Sequence, residues 1–141
     1  MSQKSKGCNA ERELIHLFWS TQTWAACRVA GSGSMHYPAP DIIAATQKRN
    51  MAIECKITKT DYQYFDKQEI SELKHFATLT NIEPIIALKF SKQPWRFITP
   101  EQLKETNKNY VITREDAQRV GKLFIELIAN QTKDEANKNP S

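Results

Sequence analysis

Three residues in the first half of the chain have the types and spacing for phosphodiester chemistry. Asp41 follows Pro40, and Glu54 and Lys56 come after an interval of twelve residues. Two carboxylates held side by side repel each other, so such a site favours a hard divalent cation. Mg²⁺ suits carboxylate oxygen completed by water and phosphate. A lysine beside them is a compact cation that can donate to a water nucleophile or a phosphate oxygen. The bare pattern also arises by chance, because Asp, Glu and Lys on strands are usually solvated surface residues. Here Glu54 and Lys56 alternate with Ile53, Cys55 and Ile57, so a strand of core character carries two charges on its other face.

The segments around these residues read as a β-hairpin. Ile42, Ile43, Ala44 and Ala45 follow the aspartate, Met51, Ala52 and Ile53 precede the glutamate, and a polar turn runs from Thr46 to Asn50. A turn centred on Lys48 and Arg49 sets Asp41 opposite Lys56 and Ile43 opposite Glu54. Asp41, Glu54 and Lys56 then share one face at the open end of the hairpin, whereas a slip of one residue would divide them between faces.

At 141 residues the chain has room for a single core. It is read as one nuclease-type domain over residues 1–130 with a polar, flexible tail over 131–141. Twenty Lys and Arg against sixteen Asp and Glu give a formal charge of +4, a mild pointer to nucleic acid. No run approaches the length of a membrane-spanning helix, and residues 2–6 lack a signal-peptide core. A soluble, intracellular protein, cytoplasmic and nucleoid-associated, is the expectation. Cys8, Cys27 and Cys55 show no C-x-x-C pairing, which disfavours zinc and a disulfide framework. Cys27 and Cys55 are expected to be small buried hydrophobes. His16 and His75 are placed on helix surfaces and His36 in a loop.

The positioning elements follow from periodicity. Residues 9–20 read as a helix with a stripe of Ala10, Leu14, Leu17 and Phe18, and Glu11 borders that stripe. A first-turn glutamate ordinarily only complements the helix dipole. Residues 24–30 form a strand carrying Arg28, and residues 31–40 a loop with two glycines and two prolines. That loop is either an ordinary connector or a place where backbone N–H groups approach a phosphate, with Ser32 and Ser34 the residues concerned.

Lys59 begins a basic and aromatic stretch with Tyr62, Tyr64 and Phe65, which suits a nucleic-acid surface, the edge of a core or a subunit contact. Asp66-x-x-Glu69 resembles a capping box opening a second helix with Ile70, Leu73, Phe76 and Ala77 inward. Residues 85–90 and 95–98 read as strands. Thr113-x-x-Asp116 opens one final helix with a stripe of Ala117, Val120, Phe124, Leu127 and Ile128. The order predicts an α/β fold with a single mixed five-stranded sheet flanked by helices, its first three strands an antiparallel meander.

Taken together these segments resemble the archaeal Holliday junction resolvases, the Hjc-type nucleases of the restriction-endonuclease-like fold. The landmarks are Lys6-Gly7, Ala10-Glu11-Arg12-Glu13-Leu14, Arg28, Gly31-Ser32-Gly33-Ser34, Pro40-Asp41-Ile42-Ile43-Ala44, Ile53-Glu54-Cys55-Lys56, Ala87-Leu88-Lys89-Phe90 and Trp95-Arg96-Phe97. They cover roughly residues 6–98.

The resemblance implies that Glu11 joins Asp41 and Glu54 at a Mg²⁺ site, with Mn²⁺ a substitute. It implies Lys56 as the active-site lysine and Ser32 as a loop serine of catalysis, with Ser34 the second choice. Arg12 and Arg28 would serve junction DNA, and Lys59 is added on its basic character. It further implies a homodimer that places paired nicks across a four-way junction during recombination and repair. The aromatic residues with no evident place in a single core, Tyr62, Tyr64, Phe65, Trp95 and Phe97, are the candidates for its contact. A sliding clamp is a further candidate partner.

Two other readings stay open at this point. One is a related nuclease for branched, flap or sequence-defined duplex DNA, and the other a junction-binding module without cleavage. Intact Glu11, Asp41, Glu54 and Lys56 argue against the second.

Overall fold

The computed structural model describes residues 3–29 and 37–129. Helix α1 (Gln3–Ser20) leads into strands β1 (Ala25–Arg28), β2 (Ile42–Ala45) and β3 (Asn50–Thr58). A short strand β4 (Tyr62–Asp66) precedes helix α2 (Lys67–Thr80), which is followed by β5 (Glu83–Phe90) and β6 (Arg96–Ile98). A 3₁₀ turn at Pro100–Gln102, strands β7 (Lys104–Glu105) and β8 (Asn109–Thr113), and helix α3 (Arg114–Val120) come next. Residues 124–129 are helical again.

The main sheet has the order β1-β2-β3-β5-β6. The first three strands are an antiparallel meander, β3 and β5 run parallel, and β6 returns antiparallel. This is the mixed five-stranded sheet expected from the sequence. Its apolar residues divide by strand alternation. Ile42, Ala44, Met51, Ile53, Ile85 and Ala87 face α1, whose Ala10, Leu14 and Phe18 complete that layer. Ala52, Ile86 and Leu88 face the other way, against Ile70 and Leu73 of α2 and Ala117 of α3. Each fully buried Leu, Ile or Phe stabilises such a layer by about 1.5–3 kcal/mol.

Several expectations are corrected. A second, three-stranded sheet, β4-β8-β7, was not anticipated. The β2–β3 register differs by two residues, pairing Ile42 with Ile53. The cause is the four-residue turn closed by Thr46 N–H donating to Arg49 O at 2.7 Å, while the Thr46 hydroxyl accepts the Lys48 and Arg49 N–H groups. A shift of two preserves the faces, and Asp41, just past the last pair, lies nearer Glu54 than the expected pairing with Lys56 would place it.

The single C-terminal helix is also two. It breaks at Gly121, whose extended backbone (φ −77°, ψ 148°) ends α3. Lys122 then bridges Phe97 on β6, with both N–H···O bonds at 2.9 Å. The chain thereby rounds the β6 edge. Ala117 and Val120 pack on the α2 side, whereas Phe124, Leu127 and Ile128 pack on the α1 side. Helical spacing alone cannot distinguish one stripe from two halves that serve opposite faces.

Cys27 is exposed, because it lies on edge strand β1 and points away from α1. Phe65, Trp95 and Phe97 are core residues, the last two only 3% and 2% exposed, and so are not free for a subunit contact. The expectations for His36, Ser32, Ser34 and the tail beyond residue 130 lie outside the described residues.

Candidate active site

Asp41 is fixed by three hydrogen bonds that use its position just before β2. Its N–H donates to Ile53 O at 3.0 Å, and its carbonyl accepts the Val29 N–H at 2.9 Å. Its Oδ2 accepts the backbone N–H of Cys55 at 2.9 Å. Pairing of β2 with β3 stops at Ile42↔Ile53 and Pro40 precedes Asp41, so beyond Ile53 the β2-side edge of β3 has no strand partner, while its other edge stays paired with β5. The Asp41 side chain stands in for the missing carbonyl. A buried N–H left without one would cost about 1–3 kcal/mol.

Glu54 and Lys56 project from the C-terminal half of β3 on the face shared with Ala52, beside Ile86 and Leu88 of β5. Burial pushes the Glu54 carboxyl up to about 9, reinforced by the Asp41 charge and a hydrogen bond between the two side chains. A retained proton on Glu54 is thus shared with Asp41. Burial pulls Lys56 downwards, but its hydrogen bond and charge contact with Glu69, joined by Glu54 and Asp41, win, and it ends above its ordinary value. An ammonium held that way acts near neutral pH as a donor and counter-charge, not as a base. On the α1 side, burial and then the Asp41, Glu11 and Glu54 charges push the Cys55 thiol well up, leaving it a neutral filler.

Glu11 comes from α1. Its Oε2 accepts from Arg28 Nε at 2.8 Å, and its side chain is 17% exposed. Burial and the Asp41 charge raise its carboxyl, opposed by Arg28. It is therefore near enough to Asp41 to feel its charge. A cleft of about 280 Å³ opens here, lined by Gly7, Ala10, Glu11, Cys55, Lys56 and Ile57. Arg12 is exposed one residue on, and Lys59 is exposed in the turn after β3.

Among the described residues no three His, Cys, Asp or Glu side chains form a ready-made metal cage. The donor set nevertheless suits a hard cation. Asp41 and Glu54 are close enough to interact, and two carboxylates completed by water and phosphate are an ordinary Mg²⁺ complement.

Glu69 was legible only as a helix cap. In the structure its Oε1 also accepts from Lys56 Nζ at 2.9 Å. No spacing rule in one sequence announces that pairing, since it needs α2 to fold back over β3.

A mixed sheet with helices on both faces, presenting Asp and Glu-x-Lys at the end of adjoining strands, defines a nuclease of the restriction-endonuclease-like class. Comparison with known proteins narrows the class. The family profile described as archaeal Holliday junction resolvase (Hjc) matches residues 2–133. The crossover junction endodeoxyribonuclease Hjc of Archaeoglobus fulgidus is 38% identical over 130 residues, spanning 87% of this chain and 95% of that protein. The Methanocaldococcus jannaschii Hjc is 34% identical over 107 residues, 76% of this chain and 75% of that one. The 1.6 Å structure of the Archaeoglobus fulgidus enzyme superposes with a TM-score of 0.78 at 34% identity, covering 86% and 94% of the two chains. The chain belongs to the archaeal Holliday junction resolvase (Hjc) family.

Proposed function

We propose that the Asp41, Glu54 and Lys56 constellation, with Glu11 at its border, hydrolyses phosphodiester bonds at four-way DNA junctions with the help of Mg²⁺. Family membership makes the chain a DNA-cleaving hydrolase, a crossover junction endodeoxyribonuclease. The observation that carries the assignment to these residues is geometric: the Asp41 carboxylate is fastened to the Cys55 N–H at 2.9 Å, between Glu54 and Lys56 on β3, and Lys56 Nζ is held at 2.9 Å by Glu69.

Asp41 and Glu54 would hold the cation, with Glu11 reaching it after release from Arg28. A bound divalent ion would supply charge neutralisation and an acidified water. Lys56 would donate to a non-bridging phosphate oxygen, placing positive charge where negative charge grows. Arg12, Arg28 and Lys59 are exposed cations suited to backbone phosphates, which position DNA without reading its sequence. Ser32 and Ser34 enter through the family resemblance. A homodimer would supply the two sites that paired nicks require.

The test is cleavage of a labelled four-way junction beside a linear duplex of the same sequence, with Mg²⁺ and with EDTA. Mg²⁺-dependent paired nicks in the junction alone are expected. Equal cutting of the duplex, or cleavage that persists in EDTA, would overturn the reading.

A further inference from the structure

Lys56 has a flexible four-carbon stem and two carboxylates, Glu54 and Asp41, within electrostatic reach. Left alone, its ammonium would collapse onto them and occupy the ground a cation needs. The structure shows what prevents this. Nζ donates to Glu69 Oε1 at 2.9 Å, and it lies 6.0 Å from the centre of the Phe65 ring. Glu69 is itself immobilised, because its other oxygen, Oε2, accepts the Asp66 backbone N–H at 3.0 Å. That bond is half of the reciprocal capping box that starts α2, the Asp66 side chain accepting the Glu69 N–H in return.

The chain between Lys56 and Glu69 is fixed as well. The hydroxyls of Thr58 and Thr60 both donate to Tyr62 O, at 3.3 and 2.8 Å, setting the turn that lays β4 and the start of α2 over the end of β3.

We propose that Glu69 is a positioning residue for the reaction. One carboxylate oxygen anchors the helix start and the other holds Lys56 away from the Asp41–Glu54 pair, aimed at the phosphate. This rests on the assignment of Lys56 to the site made above. Glu69 touches neither the cation nor the DNA in this account and acts only through the lysine.

The experiment uses the full chain and four variants: Glu69→Ala, Glu69→Gln, Lys56→Met and the Glu69→Ala/Lys56→Met double. Each is measured for single-turnover cleavage of a four-way junction across a Mg²⁺ titration, for junction affinity in EDTA, and for melting. Glu69→Ala should slow cleavage about ten- to a hundredfold, in the range typical of groups that orient a site from behind. It should raise the half-saturating Mg²⁺ severalfold and leave junction affinity within about twofold. The Gln side chain has a single acceptor oxygen for two donors, so Glu69→Gln should fall between Ala and wild type. If the Ala variant fails to fold, Gln carries the test, because it can keep the cap.

The double variant should be no slower than Lys56→Met alone. A capping role by itself would lower melting, multiply with the lysine substitution and leave the Mg²⁺ requirement unmoved. That pattern would overturn the proposal, as would a wild-type or faster rate in Glu69→Ala, which would make Glu69 a mere bystander or a sequestering partner. A wild-type rate in Lys56→Met would remove the lysine from the site and both proposals with it. A slow Lys56→Met beside an unimpaired Glu69→Ala would remove this one alone.

Discussion

The Asp41 carboxylate accepts the backbone N–H of Cys55 at 2.9 Å. One carboxylate of the site is thereby fastened to the strand that carries the other two groups, midway between Glu54 and Lys56. That part of the geometry is consequently built into the sheet. A residue in this place has two separable duties, an acceptor for an N–H and a negative charge.

Asparagine separates those duties. Asp41→Asn keeps an acceptor for Cys55 and loses the charge, so cleavage should fall on the order of a thousandfold while junction binding persists. An asparagine oxygen can still accept from the backbone N–H, so the metal-free variant should melt close to wild type near neutral pH. Asp41→Ala should lose the same activity and also stability, by about 1–3 kcal/mol for the orphaned N–H. Gel-shift affinity, single-turnover rates and melts without metal test all three. Substantial nicking by Asp41→Asn at saturating Mg²⁺ would take the residue out of the site.

The raised Glu54 value has a signed consequence for stability. Between its ordinary value of 4.5 and about 9, the folded protein holds a proton that the unfolded chain has released. Stability from this group is therefore full at acid pH and is lost as pH rises, by at most about 1.4 kcal/mol per pH unit. Melts of metal-free protein should fall from pH 5 to pH 9 more steeply than those of Glu54→Gln. Mg²⁺ binding should release a proton near neutral pH, since the cation replaces it. Calorimetry in two buffers of different ionisation enthalpy measures that release, and zero protons would contradict the shared-proton pair.

Glu11 and Arg28 can be tested together. Their ion pair is partly exposed, so breaking it should cost stability only about 0.2–1 kcal/mol. Glu11→Gln should nevertheless slow cleavage by orders of magnitude if the carboxylate joins the cation. Arg28→Ala should weaken binding to every junction sequence alike and reduce the salt slope by about one. A shifted melt with a wild-type rate in Glu11→Gln would return Glu11 to a purely local role in α1.

The parts of this architecture legible in the sequence are those set by local chemistry. Asp66 and Glu69 announce α2, alternation around Glu54 announces β3, and the parity of Asp41 with Glu54 and Lys56 is the same for turns that differ by two in register. The second sheet is legible in the residues as well. Tyr62, Gln63, Tyr64 and Phe65 alternate between outside and inside, and Tyr110, Val111, Ile112 and Thr113 have strand-forming side chains. What could not be read were relations made only by the folded chain. The break at Gly121 is imposed by the β6 edge, where an added Cβ would run into the Ala117 carbonyl and sit 3.2 Å from Arg96 Cβ.

Arg49 is a further case. It reads as a turn residue, yet its guanidinium pairs through two nitrogens with Glu83, each bond 2.9 Å. It also donates to Leu127 O at 2.7 Å and lies over Trp24. Arg49 thus ties the β2–β3 turn to β5 and to the terminal helical segment, at the end of the sheet away from Glu54. Arg49→Ala should destabilise by about 2–4 kcal/mol, since it is 16% exposed and leaves Glu83 and a carbonyl short of partners. The cleavage rate at low temperature should not change. Denaturant melts and a rate on the same preparation check the two halves of that statement.

The last prediction concerns assembly. A four-way junction offers two symmetric strands to cut, whereas this chain carries one Asp and Glu-x-Lys site. Two copies related by a dyad match the symmetry of the substrate, and an isologous interface is the simplest way to build them. Of the five candidate aromatics, Phe65, Trp95 and Phe97 are committed to the core, which leaves Tyr62 and Tyr64 for such a contact. They stack on each other and are 53% and 56% exposed. Sedimentation at micromolar concentration should give the dimer mass, and Tyr62→Ser/Tyr64→Ser should shift it toward monomer if those rings form the contact. Retained dimer in that variant with weaker junction binding would assign the rings to DNA instead. Mixing wild-type protein with excess Asp41→Asn tests the functional half, because mixed dimers should leave junctions nicked in one strand. A monomeric species that makes both cuts with undiminished coupling would rule the dimer out.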